Sequence, residues 1–179
     1  MRVTGPDDAG ALVVRGFRKG DADSVAVYSP CERYRYALTR EWGRGGRVAF
    51  VMLNPSTATE VQNDPTVERC ERRARALGFG GFRVVNIFAW RSTDPKALYR
   101  VDDPVGPAND AAILAAADWA GMVVCAWGAH GALRGRGTAV AALLGGGGRV
   151  LHHLGLTKAG APRHPLYIGY ARRPEVWAR

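Results

Sequence analysis

A chain of 179 residues with 25 Lys and Arg against 16 Asp and Glu carries a net charge of +9, and 47% of it is hydrophobic. That size suits one domain able to bury about 70% of its unfolded surface without a disulfide or metal staple, and the balance excludes a disordered, collagenous or coiled-coil chain. No apolar run approaches the ~20 residues of a membrane span, no signal peptide is recognisable, and Cys31, Cys70 and Cys125 match no zinc or iron–sulfur spacing, so a cytoplasmic protein with no metal and no cofactor is expected.

Residues 1–22 are polar and read as a flexible N-terminal segment, leaving 23–179 as a single α/β domain. Two strands, 25–29 and 34–41, predict an N-terminal antiparallel pair. Residues 47–53 are a near-continuous apolar run, which suits a central parallel strand buried on both faces. Asp64 followed by Pro65 predicts a capped helix, with Val67, Cys70, Ala74 and Leu77 on its apolar face and Gly78 at its end. Strand 82–88 follows. Asn109 is placed to cap a helix reaching Trp119, strand 122–127 comes next, then a short helix at 138–144 and a strand at 149–154. The tail from Gly155 reads as loop. Strands alternating with helices predict three layers around a mostly four-stranded parallel sheet.

In such a sheet ligands bind outside the carboxyl ends of the strands. The first loop there carries Asn54, Pro55, Ser56 and Thr57, then Asp64; its short polar side chains suit a water or an anion, and equally suit turns and caps. The second carries Asn86, Phe88, Trp90 and Arg91: an amide inside an apolar strand, aromatic faces and a guanidinium fork, or else a structural amide and core aromatics. The third carries Gly128 and His130. The fourth carries Lys158, Arg163 and His164, the last held beside Pro165. Arg69, Arg72, Arg73 and Arg75 share one helix. With lysine confined to positions 19, 96 and 158, arginine supplies nearly all the positive charge. A basic balance of this kind points to a polyanion, DNA or another nucleic acid first, although arginine-rich composition also arises without function.

The strings YRYALTREW (34–42), VMLNPSTAT (51–59), NDPTVERC (63–70), VVNIFAWRSTDP (84–95), VGPAND (105–110) and LGLTKAGAPRHPLY (154–167) resemble, along nearly the whole chain, a bacterial family of unknown function numbered 1643. The order of loops is more distantly similar to the uracil-DNA glycosylase superfamily. Leu53-Asn54-Pro55-Ser56 stands where its first motif follows the first parallel strand, Asn86, Arg91 and Thr93 match a middle motif, Gly128 a third, and His164-Pro165 the last. Met52 and Leu166 replace the usual Gly and Ser.

That likeness implies hydrolysis of the N-glycosidic bond of a damaged or modified base flipped out of DNA. Asn54 or Asp64 would orient the water and His164 would stabilise the leaving base. Pro55, Ser56, Asn86, Phe88, Trp90 and Gly128 would form the base pocket, and Arg91, Arg163, Arg72 and Lys158 would meet phosphates. A monomer with no obligatory protein partner and no membrane contact is expected. The alternatives are a non-catalytic DNA- or RNA-binding module on the same fold and an enzyme of free nucleosides or nucleotides.

Overall fold

The computed structural model describes residues 10–179. Its eight strands are β1 (Val13–Lys19), β2 (Ala22–Tyr28), β3 (Arg35–Glu41), β4 (Arg47–Met52), β5 (Gly81–Asn86), β6 (Met122–Cys125), β7 (Leu151–His153) and β8 (Glu175–Val176). Its three α-helices are α1 (Pro65–Ala76), α2 (Asn109–Trp119) and α3 (Arg136–Gly145). One mixed sheet runs in the order β1-β2-β3-β5-β4-β6-β7-β8.

β4 explains the layering. Its side chains alternate, so both faces of an apolar run need cover. Val48, Phe50 and Met52 pack on one side with Val67, Cys70 and Ala74 of α1. Ala49 and Val51 pack on the other with Ile113 and Ala116 of α2 and Val140 and Leu144 of α3. Burying each large aliphatic or aromatic side chain of these two cores contributes about 1.5–3 kcal/mol.

The expected mostly parallel sheet is corrected. β5, β4, β6 and β7 do pair in parallel, but β1–β2, β2–β3, β3–β5 and β7–β8 are antiparallel, which makes antiparallel pairs the majority. The expected flexible segment 1–22 is corrected over its second half: Val13–Lys19 is a full strand joined to β2 through Gly20, at φ +60°. Arg15, Gly16, Arg18 and Lys19 of β1 are charged or small, and nearly all of the strand is exposed, so it lacks the alternation that marks a half-buried strand. Residues 1–9 lie outside the described part. Asn109 does not cap α2 either. Its Nδ2 donates to the carbonyls of Asn86 (2.8 Å) and Ile87 (3.1 Å), tying the helix start to the end of β5.

Three arginines are buried: Arg35, Arg40 and Arg73. Arg40, on β3, donates to Ser24 Oγ (2.6 Å), Asn63 Oδ1 (3.0 Å) and the carbonyl of Thr59 (2.7 Å). Removing these donors strands buried acceptors at about 1–3 kcal/mol each. Arg40→Met is therefore expected to lower the free energy of unfolding in urea by about 2 kcal/mol or more, whereas Arg18→Met, at an exposed pair with Asp23, changes it by less than about 0.5 kcal/mol. Equal effects from the two would refute the structural role of Arg40.

Candidate active site

A cleft of about 540 Å³ opens beyond the carboxyl ends of β4 and β6. The loop after β4 contributes Asn54, Ser56 and Thr57, and the start of α1 contributes Asp64 and Thr66. Ser92 and Thr93 come from the loop after β5, Trp127, Gly128 and His130 from the loop after β6, and His164 and Tyr167 from the tail.

The loops are tied to one another. The Asn54 Nδ2 donates to the carbonyls of Pro55 (3.1 Å) and Ser92 (2.9 Å), and the Ser92 amide donates to the Pro55 carbonyl (2.9 Å). With its amino group so engaged, Asn54, which lines the cleft, keeps its Oδ1 as its remaining acceptor. Asp64 caps α1 by accepting the Val67 amide on Oδ1 (2.9 Å) and holds the preceding loop by accepting the Ala58 amide on Oδ2 (3.3 Å). A carboxylate has about four lone-pair sites, so two remain. Gly128 sits at φ +73°, where a side chain is strained. Its amide donates to the Pro162 carbonyl (2.7 Å), and a Cβ there would lie 3.4 Å from that of His164. The left-handed turn at the end of β6, rather than the approach of the His164 segment, is what asks for glycine here.

His164 Nδ1 accepts the Leu166 amide (3.3 Å), which assigns the ring proton to Nε2 and leaves that N–H as the free donor. Burial pushes the imidazole pKa below its ordinary value, and the negative charge of Asp64 opposes part of that. His164 is therefore neutral near pH 7 and still able to donate. A second imidazole, His130, meets the Tyr99 hydroxyl through Nδ1 (3.1 Å). Behind the cleft, burial lowers the Arg35 guanidinium to about 10, against the raising influence of Asp64, so it stays protonated. Its Nη1 donates to the Ala58 carbonyl (2.7 Å) in the loop that carries Asp64.

Of the residues expected from sequence, Asn54, Asp64, His164, Ser56 and Gly128 line this one cleft. Pro55 is buried beneath it. Asn86, Phe88 and Trp90 are not brought to it. Asn86 is buried at the end of β5, and its Oδ1 has no partner among the described residues. Phe88 is fully buried in the core on the α2 side, and Trp90 packs edge-on against Tyr34, with ring centroids 5.4 Å apart. Arg91 donates to the Glu32 carbonyl (3.1 Å) and lies over the Tyr28 ring, and Arg72 is paired with Glu68 (2.8 Å). Lys158 is exposed on a turn, and Arg163 lines a neighbouring cavity. Thr66, Ser92, Trp127 and Tyr167 are lining residues that sequence reasoning missed; Tyr167, 85% exposed at the rim, sits on the Pro165–Tyr167 turn that follows directly from His164-Pro165.

A family model described as "Protein of unknown function (DUF1643)" matches residues 35–166, a span that includes both Asn54 and His164. The chain belongs to this family. No curated protein and no solved structure matches it. The matched segment of this DUF1643 member holds β3 through β7 and every lining residue of the cleft except Tyr167. Among the described residues no group of three or more His, Cys, Asp or Glu is placed to hold a metal ion, and no helix is long and apolar enough to cross a membrane.

The depressed His164 has a consequence for stability. The unfolded imidazole takes a proton as pH falls through its ordinary 6.5, while the folded one takes it only at lower pH. Stability held above 6.5 is thus lost as pH falls through that window. Between about pH 7 and about pH 5, His164→Gln should lose less unfolding free energy in urea than the native chain. Identical pH slopes would show that His164 titrates normally.

Proposed function

We propose that the cleft hydrolyses an N-glycosidic bond, taking a damaged or modified base presented by a nucleic acid. The observation that carries this reading is the convergence of Asn54, Asp64 and a neutral His164 on one cleft at the strand ends. Water held by Asn54 Oδ1 and the free lone pairs of Asp64 adds to the anomeric carbon. Its proton passes toward the Asp64 carboxylate as the carbon–nitrogen bond breaks, and the bond's electron pair leaves with the base. The His164 Nε2–H then donates to the oxygen on which that negative charge gathers. A positioned donor of this kind is worth roughly 10²–10³ in rate. With Asn86, Phe88 and Trp90 outside the cleft, the hydroxyls of Ser56, Thr57, Ser92 and Thr93 are the groups that read the base edge, and Trp127 and Tyr167 supply aromatic faces.

A second reading, an enzyme of free nucleosides or nucleotides, is favoured by one specific observation: no Lys or Arg is among the lining residues, so the cleft itself suits an uncharged base and sugar.

Incubation with oligonucleotides carrying uracil, hypoxanthine, xanthine or hypermodified pyrimidines, and in parallel with the free nucleosides, separates the two by which of them yields free base. Asp64→Asn, which keeps a capping side chain, and His164→Gln are each expected to cut the rate roughly 10²-fold or more while leaving the far-ultraviolet circular dichroism unchanged. Binding of nucleic acid with no base released from any substrate would leave a non-catalytic binding module in place of the enzyme. No product and no binding at low salt would end the nucleic-acid reading altogether.

A further inference from the structure

A second cavity, of about 330 Å³, adjoins the cleft and shares Tyr167 with it. Its walls are the Leu154–Leu156 segment after β7 and the tail from Ile168 to Arg172, with Arg163 between them. Gly155 is at φ +125°, a backbone conformation that side chains rarely adopt. Over it two arginines converge: a Cβ placed at Gly155 would lie 3.3 Å from Arg163 Cδ and 4.0 Å from Arg172 Nη2. The Arg163 guanidinium makes no hydrogen bond or ion pair with the described residues. Arg172 Nη2 pairs with Glu175 (3.0 Å), where both side chains are about half exposed.

Two more cations stand behind this wall. Arg69 donates to the Ile168 carbonyl (3.0 Å), and Arg73 donates to the carbonyls of Arg172, Ile168 and Gly169. Among the described residues Glu175 is the one carboxylate paired with any of these four arginines. Arg163 and Arg172 are both exposed at this concavity, and paired guanidinium forks match the oxygens of a phosphate. The cleft next door has no such cation.

We infer that the Gly155 cavity is a phosphate subsite, with Arg163 and Arg172 as its ligands, serving the same bound molecule whose base occupies the cleft. The inference rests on the nucleobase reading of that cleft for the other half of the ligand. The phosphate is either that of a mononucleotide or one in a nucleic-acid backbone.

Nuclear magnetic resonance titration of the full chain at constant ionic strength tests it, with inorganic phosphate, a nucleoside, its 5′-monophosphate and a single-stranded oligonucleotide as probes. The amides of Gly155 and Gly169 and the side-chain Nε–H of Arg163 should shift with every phosphate-bearing probe and stay still with the nucleoside. The monophosphate or the oligonucleotide should bind at least tenfold more tightly than the nucleoside. The doubly substituted R163Q/R172Q chain should lose that advantage and keep its nucleoside affinity. Tighter binding of the mononucleotide assigns the site to free nucleotides; tighter, steeply salt-dependent binding of the oligonucleotide assigns it to a nucleic-acid backbone. No shift at Gly155 and Gly169 with any phosphate, or an advantage that survives in R163Q/R172Q, overturns the inference. A phosphate advantage without release of base from any substrate overturns the hydrolase reading and leaves the subsite standing.

Discussion

Buried guanidinium groups hold the loops of this protein, and the site depends on them. A loop that runs inward leaves carbonyls with no ladder to accept from, and each must find a donor. Arg35 supplies one at Ala58, Arg40 at Thr59, and Arg73 at Ile168, Gly169 and Arg172. A guanidinium offers five donors in a rigid fork on a long stem, so one side chain can serve several carbonyls of an irregular segment. The cost is desolvation, which pulls the pKa values of Arg35, Arg40 and Arg73 down. It also leaves the Nε of each without a partner among the described residues. Charge stays on these groups because arginine begins so far above neutral pH.

This changes what the net charge means. Arg69, Arg72, Arg73 and Arg75 look in sequence like a basic helix face awaiting a polyanion. In the fold Arg69 and Arg73 turn to the tail carbonyls, Arg72 pairs with Glu68, and Arg75 bridges Asp21 and Glu71. Arg163, at the Gly155 cavity beside the cleft, has no such partner among the described residues, and that was not legible from composition. A charge count cannot tell an arginine that braces a loop from one that meets a ligand, because both need the same side chain.

The parallel strands were legible for a simple reason: β4, β5 and β6 are buried on both faces, so their sequences are apolar runs that no amphipathic helix or half-exposed strand would show. The strand β1 was not, since its exposed positions carry no alternation, and β8, two residues long, is shorter than any pattern. Asp64-Pro65 announced the start of α1 because capping is local chemistry. Asn109 misled for the same reason: its local pattern fits a cap, yet the ends of β5 and α2 meet in space and claim its amide. Within the site, Asn54, Asp64 and His164 could be found because the strand-end rule says where loops converge. Phe88 and Trp90 sit on the same stretch, but the chain turns them into the core, and that turn depends on Pro104 and Val105, whose carbonyls accept from Trp90 and Ala89 across a long sequence gap.

The two ends of α1 join these observations. Its first turn is capped by Asp64, which lines the cleft; its middle carries Arg69 and its last turn Arg73, which hold the tail just beyond His164 and Tyr167. Tyr170, lying against both arginines, reinforces that hold. A twelve-residue helix is about 18 Å long and stiff. It therefore acts as a strut between the Asp64 carboxylate and the segment that bears the His164 imidazole. α1, packed on the sheet through Val67, Cys70 and Ala74, thus joins the loop bonds in holding the segments of Asp64 and His164. Loosening Arg73 would leave the cleft's residues in place along the chain but free the tail from the strut, so the placement of His164 and the retention of the tail are coupled in this fold.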